Sequence, residues 1–284
     1  MSDREVELSE KYPVPRIVYQ YLPPPEGGRD TTNILSARRF KLSKIGTMND
    51  PFDMLPVFKE VRDPSIIRNY LERSATRFDM YEKITPAMVA AWKARWEVIY
   101  DNPIAEWSRV ATGTRVLCLS SRNNGVLLWS HYGQNHRGFA VGFRSDVLIE
   151  TKPATLLFEV EYDDERPEFD ITTVHDEQCS AESLLPLFKR KSREWSYERE
   201  WRATHRPETL NDGEYLPFSV EAVECVILGA LIEKDVILRL NQACKTSGLD
   251  SVPLKKARLA KKRFELEILP TTWSEVLKRE QGTD

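Results

Sequence analysis

Apolar residues recur along the chain at two different spacings, which predicts a protein that mixes helices and strands. A spacing of three to four residues dominates the stretch from about 63 to 108 and predicts two helices, each of which begins with a proline suited to a first helical turn. The segment "EKDVILRLNQACKTSG" carries the same spacing and predicts a helix that ends at Gly248. Shorter helices are predicted at "TTNILSARRF", capped by Thr31 or Thr32, and at "SLLPLFKRKSREW".

Other apolar segments alternate with polar residues or are rich in β-branched residues, and these predict strands. They are "RIVYQYL", "FKLSKI", "RVLCLSS", "RGFAVGF", "TLLFEVEYDDERP", "YEREWRAT", "VECVILGALI" and "FELEILP". Helices and strands do not follow one another in a regular βαβ order. We therefore predict an α+β fold, with a mixed, mostly antiparallel sheet core and flanking helices. We expect a single domain over residues 1–284 with a helical insert at about 63–108.

Composition narrows the function only slightly. The chain has 284 residues and a net charge of −3, so no overall field demands a nucleic acid or an anionic membrane as partner. Its four cysteines are far apart, which argues against a disulfide framework or a zinc knuckle and fits a reducing cytoplasm. No apolar run approaches the length of about 20 residues that spans a bilayer, so we expect no membrane partner.

The stretch "VLLWSHYGQNHRGFAVGF" concentrates polar aromatic residues and predicts two to three turns of helix, with Asn123 or Asn124 as its cap, followed by a strand. On a helix, His131 and His136 would point about 140° apart, so we predict no metal site here. Two interpretations stay open. Either the polar aromatic groups fix a core through hydrogen bonds, or His131, Tyr132 or His136 meets a ligand in a polar cleft.

A second polar cluster is "EWSYEREWRA". Read as a strand, it places Glu198, Glu200 and Arg202 on one face and the alternate residues, including Trp201, on the other. Two neighbouring carboxylates need a nearby cation or a raised pKa, an arrangement that serves a general acid or base or stabilises a cationic transition state. The alternatives are a solvated strand face, or a helix in which Glu198 and Arg202 form an i,i+4 pair. We expect this segment and the "WSHY" helix to be neighbours.

Four segments together resemble one family of bacterial and phage proteins, the domain of unknown function 2971. They are "FKLSKIGTMNDPFDM", "VLCLSSRNNGVLLWSHYGQNHRGFAVGF", "VEYDDERPEF" and "KSREWSYEREWRA". The resemblance extends roughly from Val18 to Leu231. A role in phage–host conflict would suit such a family.

The order of elements also resembles ADP-ribosyltransferase-like folds, in which a first-strand residue and a second-strand Ser or Tyr hold NAD and a late-strand Glu-x-Glu pair acts on it. This resemblance implies that NAD is the substrate, that Glu200 stabilises the oxocarbenium ion and that Glu198 orients the acceptor. One departure is the first strand, which carries tyrosines where those enzymes prefer His or Arg. The residues implied to bind NAD are Tyr19, Tyr21, Ser43, Trp129, His131, Tyr132 and His136.

Two further functions compete with the NAD reaction. A non-catalytic module could bind nucleic acid or a protein through the basic segments 188–193 and 254–263, although such runs also occur as solvated helix faces. A metal-dependent nuclease could use Asp163, Asp164 and Glu165, although "YDDERP" equally fits the end of a strand and a turn. The sequence leaves the acceptor of an ADP-ribosyl group unknown.

Overall fold

The computed structural model describes residues 14–77, 83–103, 107, 114–151, 157–173, 181–205 and 214–278. Cys179 and parts of the predicted helical insert lie outside these residues. The strands are β1 (Ile17–Leu22), β2 (Arg39–Lys41), β3 (Ser43–Lys44), β4 (Val57–Phe58), β5 (Arg115–Ser120), β6 (Phe139–Arg144), β7 (Leu157–Glu159), β8 (Glu161–Tyr162), β9 (Glu168–Phe169), β10 (Arg190–Lys191), β11 (Glu200–His205), β12 (Tyr215–Pro217), β13 (Val223–Leu228), β14 (Leu254–Leu259) and β15 (Leu266–Thr271).

The α-helices are α1 (Asn33–Ser36), α2 (Pro64–Arg77), α3 (Pro86–Asp101), α4 (Val126–His131), α5 (Ser145–Thr151), α6 (Ala181–Lys189), α7 (Lys234–Thr246) and α8 (Trp273–Lys278). Three segments form 3₁₀ turns, namely Ile171–Thr173, Arg193–Glu198 and Val220–Ala222. The predicted helices at the start of the chain, in the insert and before Gly248 are confirmed. Gly248 has a φ of 76°, the left-handed conformation in which helices commonly end.

The chain divides into two compact units. The first comprises residues 1–43, 114–159 and 196–284, and the second comprises residues 44–113 and 160–195. The predicted helical insert lies within the second unit. It is joined there by residues 160–195, which the sequence alone did not connect with it.

A large sheet organises the first unit. Its strands follow the order β15-β14-β13-β6-β1-β5-β11-β7. Every neighbouring pair along this order is antiparallel except β13 and β14, which are parallel. The α+β fold with a mostly antiparallel sheet and flanking helices is therefore confirmed.

Strand alternation gives this sheet two different faces. On the first face, Val18, Phe143 and Trp201 join a large apolar core that also contains residues of α1, α5, α7 and α8. On the second face, Tyr19 and Ala140 pack with Trp129 from α4 in a smaller cluster. The second face therefore has less apolar material and leaves room for polar side chains.

The second unit contains two short parallel strand pairs, β4 with β9 and β10 with β8. Phe58, Trp107 and Phe169 form an aromatic cluster with ring centroids 5.3 to 6.3 Å apart. Helices α2 and α3 meet through Tyr70 and Trp92, whose ring centroids are 5.5 Å apart. These contacts give the second unit an apolar core of its own.

Candidate functional site

The paired glutamates lie where a 3₁₀ turn passes into β11. The predicted strand over "YEREWRAT" is wrong at its start, because the strand begins at Glu200 and Glu198 belongs to the turn. Arg199 separates them with a φ of 45°, which a strand residue does not adopt. The turn is fixed from β5, where the hydroxyl of Ser120 donates to the carbonyl of Glu198 and the amide of Ser121 donates to the carbonyl of Arg199.

Glu200 and Arg202 share the second face of the sheet and bind each other, so the same-face prediction is confirmed for this pair. Arg202 donates through Nε and Nη2 to the two carboxylate oxygens of Glu200, at 2.7 and 2.9 Å. Glu200 is 4% exposed and Arg202 is 0% exposed. Trp201 points the opposite way into the apolar core, as predicted. A buried guanidinium thus compensates the charge of one glutamate completely within the fold.

Glu198 has a different partner. The hydroxyl of Tyr132 donates to Oε1 of Glu198 at 2.6 Å, and Glu198 is 3% exposed. The ring of His131 lies 6.4 Å from the ring of Tyr132 and 6.3 Å from that of Tyr197. Tyr132 and Tyr197 are half-buried and His131 is exposed, so the rings lead from the surface toward the carboxylate. The "WSHY" and "YEREWR" segments are therefore neighbours, as predicted. We call Glu198, His131, Tyr132 and Tyr197 the Glu198 cluster.

Trp129 and Tyr19 are held beside each other by Asn123. The indole Nε1 of Trp129 donates to the carbonyl of Asn123 at 2.9 Å, and the amide Nδ2 of Asn123 donates to the hydroxyl of Tyr19 at 3.2 Å. Gly142 stands opposite Tyr19 in the sheet, and a Cβ at Gly142 would lie 2.9 Å from the Tyr19 ring. A glycine at this position therefore lets the ring lie flat against β6.

Tyr21 lies two residues further along the same face. Its ring meets that of Trp129 edge-on, with centroids 5.1 Å apart, and its hydroxyl donates to the carbonyl of Arg122 at 2.7 Å. Burial raises the pKa of both Tyr19 and Tyr21 above the ordinary value of 10. Both phenols are therefore protonated at neutral pH.

Helix α4 is shorter than predicted. It ends at His131, and its N-cap is Gly125 rather than Asn123 or Asn124. Gln134, Asn135 and His136 all have positive φ, so His131 and His136 do not share a helix. Burial lowers the pKa of His136, whose Nε2 lies 3.2 Å from the hydroxyl of Ser130.

The structure brings most of the predicted site residues to one side of the sheet. Tyr19, Tyr21, Trp129 and Glu200 lie on the second face, and Tyr132 and His131 reach its edge at Glu198. His136 contacts Ser130 instead. Ser43 is half-buried in β3, and among the described residues it forms no hydrogen bond with Glu198 or Glu200.

Three residues of this region were not predicted as site residues. Ser120 holds the turn that carries Glu198, Asn123 links Trp129 to Tyr19, and Tyr197 lies beside His131. Asn123 had been read only as a helix cap. Strand alternation predicted Tyr197 on the opposite face of a strand. The left-handed conformation of Arg199 instead excludes Tyr197 from that strand, and the sequence gives no simple signal for this conformation.

The basic segment 188–193 does not form an open basic face. Lys189 lies 2.6 Å from Glu161, and Lys191 lies 3.5 Å from Asp53, with both lysine side chains buried. The segment 254–263 differs, because it forms β14 and the turn that follows, where Lys261, Lys262 and Arg263 are exposed.

Two of the acidic residues of "YDDERP", Asp163 and Asp164, are paired with arginines. Arg193 lies 3.6 Å from Asp163 and 3.5 Å from Asp164, and Arg190 lies 3.9 Å from Asp163. Among the described residues, no three His, Cys, Asp or Glu side chains are grouped so that they could hold a metal ion. Within the same residues, no helix is both long and apolar enough to cross a membrane.

Comparison with known proteins gives one family. No curated protein and no solved structure matches the chain. The matching family model is described as a protein of unknown function, DUF2971, and it matches residues 128–203. The match begins within α4 and ends within β11, so it includes Tyr132, Glu198 and Glu200. The segment that carries the candidate site therefore matches the DUF2971 family model, in agreement with the resemblance of its motifs.

Proposed function

We propose that the Glu198 cluster breaks the bond between nicotinamide and ribose in NAD, and that the ADP-ribosyl group passes to an acceptor or to water. The supporting observation is the hydrogen bond from Tyr132 to Glu198, at the edge of a sheet face that also carries Tyr19, Tyr21 and Trp129. The proposal also draws on the resemblance of the element order to ADP-ribosyltransferase-like folds. It includes a cytoplasmic setting and a role in phage–host conflict.

Within this proposal, Glu198 is the carboxylate that faces the ribose. Bond cleavage leaves the electron pair on nicotinamide and a positive charge on the ribose, which a fixed carboxylate stabilises strongly where water is excluded. Glu200 is less suited to this role, because both of its oxygens already accept from Arg202. Glu200 and Arg202 instead form a rigid, neutral support beside β5, the strand that fixes the turn of Glu198.

The rings around Glu198 would hold the nicotinamide. Flat aromatic side chains favour offset or edge contacts with another ring at centroid distances of about 4.5–7 Å. His131, Tyr132 and Tyr197 are spaced for such contacts and lie between the surface and the carboxylate. Water or the acceptor then attacks the cationic ribose carbon and loses its proton to the surroundings.

Nicotinamide release from NAD, measured for the wild type and for Glu198→Gln, tests this function. Glu198→Gln keeps the size of the side chain and removes its charge, so we expect release to fall about 10²–10³-fold. The matched control is Glu194→Gln, because Glu194 belongs to the same 3₁₀ turn but is exposed. Its rate should equal that of the wild type. Circular dichroism and thermal melting show whether each variant is folded.

The proposal fails if the wild type releases no nicotinamide with any of a range of acceptors and its melting temperature does not change with NAD. It also fails if Glu198→Gln and Glu194→Gln release nicotinamide at the wild-type rate.

A second candidate function is favoured by the hairpin of β14 and β15. At its turn Lys261, Lys262 and Arg263 are exposed, and the side chain of Phe264 is fully exposed beside them. Cations interleaved with an aromatic ring are typical of surfaces that bind single-stranded nucleic acid. This alternative uses only the segment 254–263, since two lysines of 188–193 are buried. A salt-dependent shift of labelled oligonucleotide that is lost in Phe264→Ala would support it.

A further inference from the structure

The second unit contains a cavity that the NAD reaction does not use. Its volume is about 260 Å³. Three segments that are far apart in sequence line it: residues 52–55, 163–167 and 190–192. They overlap the sequence segments "NDPFDM", "YDDERPEF" and "KSREW".

One wall of the cavity is apolar and ends in an exposed ring. Met54 and Leu55 are buried, whereas Phe52 is 61% exposed. The Phe52 ring lines the cavity and is therefore accessible to a ligand. Arg166 lies with its guanidinium carbon 5.6 Å from the centre of the Phe52 ring. The Phe52 ring therefore already attracts the flat, polar guanidinium of Arg166. It also provides a surface on which a flat ligand can stack.

The backbone of this wall is strained. Met54 has a φ of 56°, a left-handed conformation that residues other than glycine rarely adopt. Asp50 fixes the loop by accepting from the amide of Phe52 at 2.9 Å. Strained residues of this kind cluster at ligand sites, where the surrounding structure holds them in place.

The other walls are charged but balanced. Asp163, Asp164 and Glu165 contribute three carboxylates, and Arg166, Arg190 and Lys191 contribute three cations. Lys191 is the buried one of these cations, and it is paired with Asp53. The remaining pairs are loose, with Arg190 3.9 Å from Asp163. Loose, half-exposed pairs can exchange partners for a ligand at little cost.

We propose that this cavity binds a nucleoside, with the base stacked on Phe52. A nucleobase is flat and presents hydrogen-bond donors and acceptors on its edge, which match carboxylates and guanidinium groups that line one space. The amino group of the base donates to the carboxylate of Glu165, and Arg190 and Ser192 donate to the sugar hydroxyls. An uncharged nucleoside is favoured over its phosphate esters, because Arg190 and Lys191 already face carboxylates and a phosphate would add negative charge beside the three carboxylates of the lining. The volume also fits a small ligand, because it lies just below the range of about 300–1,000 Å³ usual for drug-sized sites.

The test is isothermal titration calorimetry of the full chain with adenosine, guanosine, cytidine and uridine, and with their 5′-monophosphates. We expect at least one amino-bearing nucleoside to bind at least tenfold more tightly than both uridine, which has no amino group, and its own monophosphate. Phe52→Ala and Glu165→Gln should each weaken that binding at least tenfold. The matched controls are Leu238→Ala, which removes another exposed apolar side chain, and Glu168→Gln, which changes an exposed carboxylate outside the lining.

Absence of binding by all four nucleosides at millimolar concentration overturns the proposal. So does binding that Phe52→Ala and Glu165→Gln leave unchanged, or a monophosphate that binds more tightly than its nucleoside. The result is independent of the NAD reaction, since a chain that releases no nicotinamide can still bind a nucleoside in the second unit.

Discussion

The sheet face of the first unit and the cavity of the second unit both contain charged and aromatic residues. The two regions differ in how deeply these residues are buried and how closely the charges are paired. On the sheet face, Arg202 is completely buried and donates twice to Glu200 at hydrogen-bonding distance. At the cavity, Arg190 and Arg193 face Asp163 at 3.6 to 3.9 Å, with side chains partly open to solvent. The aromatic residues differ likewise, since Trp129 is fully buried whereas Phe52 is largely exposed.

This difference separates the charged groups that stabilise the fold from those that are available to a ligand. A buried ion pair cannot lose one partner without leaving a charge in a low-dielectric interior. A half-exposed pair is weak, because water and salt compete with it. The pair on the sheet face therefore fixes the positions of other groups, while the pairs at the cavity can open. Glu198, at the edge of the sheet face, accepts a hydrogen bond from the neutral phenol of Tyr132.

The sharpest test of this contrast removes one arginine from each region. Arg202→Met should lower the free energy of unfolding by about 3–5 kcal/mol, because it leaves Glu200 buried without its cation. Arg190→Met should change it by at most about 1 kcal/mol, the usual range for a half-exposed pair. Urea denaturation of both variants measures the two values. Equal losses would show that the two regions do not differ in the way proposed.

A second test compares aromatic residues. Trp201→Ala should cost about 3–5 kcal/mol, since Trp201 fills the apolar core on the first face of the sheet. Phe52→Ala should leave stability within about 0.5 kcal/mol, because the ring is mostly in water. Thermal melting of both variants provides the measurement. A Trp201→Ala variant that stays as stable as the wild type would contradict the structural role of this residue.

The spacing of apolar residues predicted the fold class, but the sequence predicted the candidate site only in part. Spacing of apolar residues was enough to place β1, β5, β6, β13 and α7, because each has a continuous pattern. It failed at Glu198, where a left-handed Arg199 breaks the alternation and a tertiary contact with β5 holds the turn. Propensity describes single segments, so it cannot anticipate such a contact.

The sequence did not predict the cavity, because segments that are distant in the chain form it. Its three segments are separated by more than a hundred residues of chain between the first and the second. "YDDERP" was interpreted as a strand end or a nuclease motif, and 188–193 as a basic surface, each by itself. Only the fold shows that Asp163 and Arg190 face each other and that Lys191 is buried.

A third prediction concerns the phenol that holds Glu198. Tyr132→Phe removes the donor to a buried carboxylate, and a hydrogen bond to a charged group contributes about 1.5–3 kcal/mol. We expect a loss of stability in this range, together with slower nicotinamide release. The control is Tyr215→Phe, because Tyr215 lies on β12, away from the large sheet, and should not affect release. An unchanged stability of Tyr132→Phe would show that another group satisfies Glu198.

The smallest expected effect is a dependence of stability on alkaline pH. Burial raises the pKa of Tyr21 above its ordinary value of 10. Below pH 10 the phenol is protonated in both the folded and the unfolded chain, so it adds no pH dependence. Above pH 10 the unfolded chain loses the proton while the folded chain keeps it, and stability therefore falls as the pH rises toward the folded pKa. Tyr21→Phe should cost about 0.5–1.5 kcal/mol at pH 7 through its lost hydrogen bond. The same variant should show a shallower decline between pH 10 and 11 in urea denaturation. A decline as steep as that of the wild type would place the titrating group elsewhere, and Tyr19, whose pKa burial also raises, would be the next residue to substitute.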